Sequence, residues 1–152
     1  MAKIRLTRVN YKAINPAVAG SQINDVYKRV AETTLTSQPE FIIVLIGINN
    51  IIFSSFNIAD YRKLINNLHL KYNRSKIICV SILPVNDLPV NQKVSKANME
   101  IKSFCQESDY IYLDVYKDML PPEYRFDGLH LTDAGYKKLT SYYNKIVYDF
   151  KR

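Results

Sequence analysis

Two stretches of the chain are apolar almost without interruption. Phe41–Ile46 reads FIIVLI after Pro39, and Lys76–Leu83 reads KIICVSIL before Pro84. Strands covered on both faces have this pattern, which belongs to parallel sheets flanked by helices. Tyr110–Val115, YIYLDV, reads as a third strand, and Ile4, Leu6 and Val9 alternate with polar residues as an extended segment does. Between these runs the apolar positions recur at helical spacing. Ser21–Thr36 carries Ile23, Val26, Tyr27, Val30 and Leu35, with Ser21 as the expected N-cap. Asn57–Asn73 carries Ile58, Tyr61, Leu64, Ile65 and Leu68. Asn91–Ser108 carries Val94, Ala97, Met99, Ile101 and Phe104. Asp133–Phe150, capped by Thr132, turns Leu139, Tyr142, Tyr143, Ile146 and Phe150 inward. Tyr116–Phe126 reads as a loop.

Strand and helix therefore alternate, which predicts an α/β fold: a three-layer α/β/α sandwich with a mostly parallel sheet. At 152 residues, without repeats or a linker, the chain reads as one domain over residues 1–152. In such sheets the functional site lies at the carboxyl ends of the strands.

Charge changes little in this picture. The net charge is +7, but the basic residues are scattered and no run reaches five, so no nucleic-acid partner is expected. Cys79 and Cys105 form neither a disulfide framework nor a zinc spacing, so no metal is expected and a reducing compartment is the default. No apolar stretch is long enough to span a membrane, and MAKIRLTRVNYK has no signal-peptide core. The chain as written is expected to be cytoplasmic, and secreted if a further N-terminal segment precedes it.

Three short motifs lie where chemistry is expected. Gly47-Ile48-Asn49-Asn50 follows directly on FIIVLI, so the Asn49 side-chain amide can face a developing oxyanion; a plain turn asparagine is the alternative. Asp127-Gly128-Leu129-His130 pairs a carboxylate with an imidazole three residues on, the arrangement that orients a general base, or else a surface histidine before a helix. Gly20 precedes the first helix, where its N–H is a possible second oxyanion donor or simply part of a turn. GINN lacks the pattern of a phosphate loop, and no cofactor is expected. His69, mid-helix without a carboxylate at useful spacing, reads as structural or solvated.

Taken together in this order, the motifs resemble the SGNH (GDSL-type) hydrolases, a family of serine esterases and lipases. NPAVAGSQINDVYKRV resembles the second conserved block, PEFIIVLIGINNI the third, KIICVSILPVN the fourth strand with its Pro turn, and DGLHLTDAGYKKL the fifth, over roughly residues 10–150. The resemblance implies Asp127 and His130 as triad acid and base, and Gly20 and Asn49 as the oxyanion hole. It implies hydrolysis of short acyl or acetyl esters on a sugar or lipid. Asn50 stands where the family usually has Asp, a change expected to alter hydrogen bonds around the turn more than the chemistry.

The family's nucleophilic serine lies in a G-D-S motif on the first strand. This chain contains no G-D-S, and only nineteen residues precede Gly20. The nucleophile is therefore unassigned, and the chain reads as N-terminally truncated and inactive alone. Ser21, Ser54 and Ser55 are the nearest serines to the expected catalytic edge, and none sits on a turn built to expose it. A sheet lacking that strand would pair through its open edge with Ala2–Thr7 or with a second copy, giving a homo-oligomer. The alternatives are a non-catalytic SGNH-like domain that binds carbohydrate or a protein partner, and an unrelated flavodoxin- or receiver-type domain.

Overall fold

The computed structural model describes residues 12–119 and 123–151. The extended segment expected at Ile4–Val9, the pairing expected of Ala2–Thr7, and Leu120–Pro122 of the expected loop lie outside the described residues. Three parallel strands, β1 (Phe41–Val44), β2 (Lys76–Val80) and β3 (Ile111–Leu113), stand in the order β1-β2-β3. Their registers pair Phe41 with Lys76 and Ile78 with Ile111. Five helices surround them: α1 (Ile23–Glu32), α2 (Ile48–Phe53), α3 (Ile58–Lys71), α4 (Leu88–Ser108) and α5 (Asp133–Lys151).

The two-residue period of β2 divides the core. Ile77 and Cys79 join Tyr61, Leu64, Ile65, Ile101 and Phe104 on one face of the sheet. Ile78 and Val80 join Leu131, Leu139, Tyr143 and Val147 on the other. Helices on both faces of a parallel sheet are the three-layer sandwich expected from the sequence. Cys79 and Cys105 are both free and buried. Among the described residues, no helix is long and apolar enough to cross a membrane.

Several expectations need correction. Helix α1 starts at Ile23 with Gln22, not Ser21, as N-cap, and the Asp25 carboxylate accepts the Gln22 N–H at 2.9 Å. It stops at Glu32, where Thr33 turns extended and the Lys71 ammonium donates to the Val30 and Thr33 carbonyls. Apart from Val44, β1 is only half-buried, because among the described residues it pairs with β2 alone. Helix α4 begins at Leu88, three residues early: Asp87 caps it through the Val90 N–H, and Pro89 sits in the first turn, where no N–H is needed. Met99 and Phe150 are exposed rather than inward. The expected loop after β3 contains a 3-10 turn at Tyr116–Asp118. Exposed His69 meets the Tyr110 ring edge-on, at 5.8 Å.

Candidate active site

The chain leaves β1 through Gly47 and immediately winds into α2. Gly47 has φ +129°, and a Cβ there would lie 2.6 Å from Ile82 Cδ1, so the turn over Ile82 needs glycine. This short helix, absent from the sequence expectation, carries Asn49 and Asn50 in its first turn. The Asn49 amide donates to the Ser21 carbonyl at 3.0 Å. Asn50 is buried, and its side-chain oxygen accepts the Ile23 N–H at 3.0 Å, capping α1. The first of these bonds sets Asn49 beside Ser21, the residue that follows Gly20. Among the described residues the Gly20 N–H has no hydrogen-bond partner. Asn50 thus takes part in the hydrogen bonds around the turn.

The second half of the site is a narrow hairpin. Tyr124 and Leu131 form an antiparallel bridge, the Arg125 N–H donates to His130 O at 2.7 Å, and the Thr132 N–H donates to Glu123 O at 2.7 Å. Asp127 and His130 occupy its tip. Asp127 Oδ1 accepts the backbone N–H of Leu129 and of His130, each at 2.9 Å, and Oδ2 meets His130 Nδ1 at 2.9 Å. The His130 backbone N–H, then that of Leu129, then the imidazole pull the Asp127 carboxyl down to about 2. An ionised carboxylate on Nδ1 holds the ring hydrogen there and leaves the Nε2 lone pair outward. The imidazole is mostly exposed, and among the described residues Nε2 has no partner.

The hairpin is fastened to the segment after β2. The Asn86 N–H donates to Gly128 O at 2.8 Å. That segment is itself held by α4. Asn98 spans the Ile82 backbone, accepting its N–H at 2.7 Å and donating to its carbonyl at 2.9 Å. Asn91 does the same to Val85, at 2.8 and 2.7 Å. Ser81 Oγ accepts the N–H groups of Val115 and Tyr116. None of these positioning residues was singled out from the sequence. The signal for two of them was present: Asn91 and Asn98 lie seven residues apart on the α4 face that carries Val94.

An apolar cleft of about 100 Å³ lies between the two halves, lined by Leu45, Ile46, Ile48, Leu83, Val85 and Leu129 among others. Ile48 precedes Asn49 and Leu129 precedes His130, so chain neighbours of both candidate groups line the cleft. None of the three serines bonds to His130. Ser21 Oγ donates to Val18 O and accepts from Arg29, and Ser54 Oγ bonds Gln22 and the Asn50 carbonyl.

No curated protein sequence matches the chain. Solved structures do. A carbohydrate esterase family 3 protein from Talaromyces cellulolyticus superposes with a TM-score of 0.73 at 17% identity, over 86% of this chain and 68% of that one. A GDSL-like lipase from Bacteroides thetaiotaomicron gives 0.72 at 21% identity, over 86% and 72%. A lipase/acylhydrolase from Enterococcus faecalis gives 0.70 at 18%, over 84% and 71%. These likenesses establish a shared fold. The sequence model of the GDSL-like lipase/acylhydrolase family matches residues 3–138. With that pattern running through most of its length, the chain belongs to the GDSL-like lipase/acylhydrolase family.

Proposed function

We propose that the chain carries the base, acid and oxyanion part of an ester-hydrolase site for short acyl or acetyl esters of a sugar or lipid, and that it lacks the serine nucleophile. The observation that carries this reading is the double grip of Asp127 on His130, which leaves Nε2 free at 2.9 Å bonding geometry on the other ring nitrogen. In the complete reaction a serine hydroxyl adds to the acyl carbon and gives its proton to His130 Nε2. The carbonyl oxygen becomes an oxyanion that accepts hydrogen bonds from Asn49 and the Gly20 N–H. The ester C–O bond breaks, His130 returns the proton to the departing alcohol, and water then frees the acid by the same steps. The acyl chain lies in the apolar cleft beside Ile48 and Leu129.

The test is hydrolysis of p-nitrophenyl acetate by the purified chain beside His130→Ala and Asn49→Ala, with fluorophosphonate labelling followed by intact mass. With no serine to be acylated, His130 draws the proton from a water that adds to the acyl carbon directly, so we expect slow, saturable hydrolysis that falls to buffer background in both variants, and no fluorophosphonate adduct. Equal rates in all three proteins and buffer would remove the ester-hydrolase reading. An adduct lost in His130→Ala would keep the reaction but place the nucleophile within this chain.

A further inference from the structure

We propose that the cavity between α2 and α4 is a subsite for a carboxylated sugar, a pyranose unit of the uronic-acid type; this rests on the reading of the neighbouring site as one for acylated carbohydrate. The cavity measures about 250 Å³ and is walled by Ser54, Ser55, Phe56, Lys93, Lys96 and Glu100. Pockets for drug-sized ligands start near about 300 Å³, so this one suits a single ring.

Each wall has a use for such a ring. Lys93 and Lys96 stand about one helical turn apart on α4, on neighbouring positions of one face. Among the described residues neither is in an ion pair. Two unpaired ammonium groups at one cavity mouth form a seat for a carboxylate. Ser54 Oγ donates to Gln22 Oε1 at 3.0 Å and keeps acceptor capacity, and the Ser55 hydroxyl has no protein partner among the described residues. With the Glu100 carboxylate they match ring hydroxyls. Phe56, held at 6.1 Å against the Tyr61 ring, supplies an apolar wall for the C–H face of a pyranose. A bare inorganic anion would use the lysines and leave Glu100 opposed to it, whereas a carboxylated sugar employs the whole set.

The position fits as well. Helix α2 has Asn49 in its first turn and Ser54 as its C-cap, a separation of about 7–8 Å at the helical rise. A unit held there is a neighbour, on the same polymer, of the unit whose ester reaches Asn49.

The experiment is an amide-resolved NMR titration with glucuronic acid, glucose and inorganic phosphate, on the full chain and on the Lys93→Gln/Lys96→Gln double variant. We expect glucuronate to shift Ser54, Ser55, Lys93 and Lys96 saturably, at least about tenfold more tightly than glucose or phosphate. The preference should disappear in the double variant and persist in His130→Ala. Equal affinity for glucose, phosphate equal to glucuronate, or no shifts at these residues would overturn the subsite. Because the readout is binding, failure here with His130-dependent hydrolysis intact removes only the subsite. A preserved preference without hydrolysis removes only the ester reading.

Discussion

Asp127 holds His130 twice, once by its backbone N–H on Oδ1 and once by its ring on Oδ2, both at 2.9 Å. The first bond fixes the peptide and the second fixes the tautomer, so orientation and protonation site of the imidazole depend on one carboxylate. Asp127→Asn keeps an oxygen for the two backbone donors and removes the acceptor from Nδ1. We expect the folded loop to persist with little change in Tm, the ring hydrogen to move to Nε2 in long-range ¹H–¹⁵N spectra, and His130-dependent ester hydrolysis to fall to background.

The Asp127 carboxyl is lowered to about 2 in the folded chain, against about 3.9 in an unfolded one. A depressed carboxyl stabilises the fold above the unfolded value, and this contribution is lost as pH falls through the folded one. A ¹³C titration of the Asp127 carboxyl should therefore show a midpoint near 2. The Leu129 and His130 amide shifts should hold at pH 5 and collapse only below about pH 3. A midpoint near 4 would mean that the backbone bonds do not hold the carboxylate in solution.

Gly128 sits between the two residues with φ +68°, and a Cβ there would lie 2.5 Å from Asn86 Cβ. Gly128→Ala carries about 1–2 kcal/mol of left-handed backbone cost before the clash is counted. At about 2–4 °C per kcal/mol for a chain of this size, Tm should fall by roughly 2–8 °C. The Asn86 amide should also lose its protection from hydrogen exchange. An unchanged Tm would show that the hairpin tip is free to move aside.

Asn98 satisfies both backbone groups of Ile82 inside the core. Asn98→Leu leaves a buried donor and a buried acceptor unpaired, at about 1–3 kcal/mol each. We expect a loss of about 2–6 kcal/mol in urea unfolding. Faster exchange should appear at the Ile82 amide, while Asp127 and His130 remain paired.

The places where sequence and structure agree and differ have physical reasons. The apolar run at Ile77–Val80 is legible because burial demands it, and the half-buried run at Phe41–Val44 because it packs on the core from both faces of the sheet. The Asp127–His130 pair is legible because a three-residue turn closes locally. Helix α2 was hidden because Gly47 and two asparagines read as a turn, and only the packing on Ile82 makes them a helix. The start of α4 was hidden because Pro89 reads as a breaker, although the first helical turn tolerates it. The spacing draws Met99 inward because Asn98, the true inward residue, is polar and finds its partners on the segment after β2, 16 residues away. Gly20 and Asn49 were legible as motifs, but their meeting depends on a bond between residues 28 apart.

Two of the bonds that join α1 to α2 are made by amides alone. Asn49 meets the Ser21 carbonyl and Asn50 meets the Ile23 N–H, and neither contact contains a group that gains or loses a proton. The hairpin opposite depends on an ionised carboxylate. Acidification therefore divides the site. As Asp127 takes up its proton, the imidazole loses its guide, while the Asn49 and Asn50 bonds keep their partners. The two halves are set to part company along the pH axis, and the pH at which the hairpin loosens while the amide bonds hold belongs to Asp127.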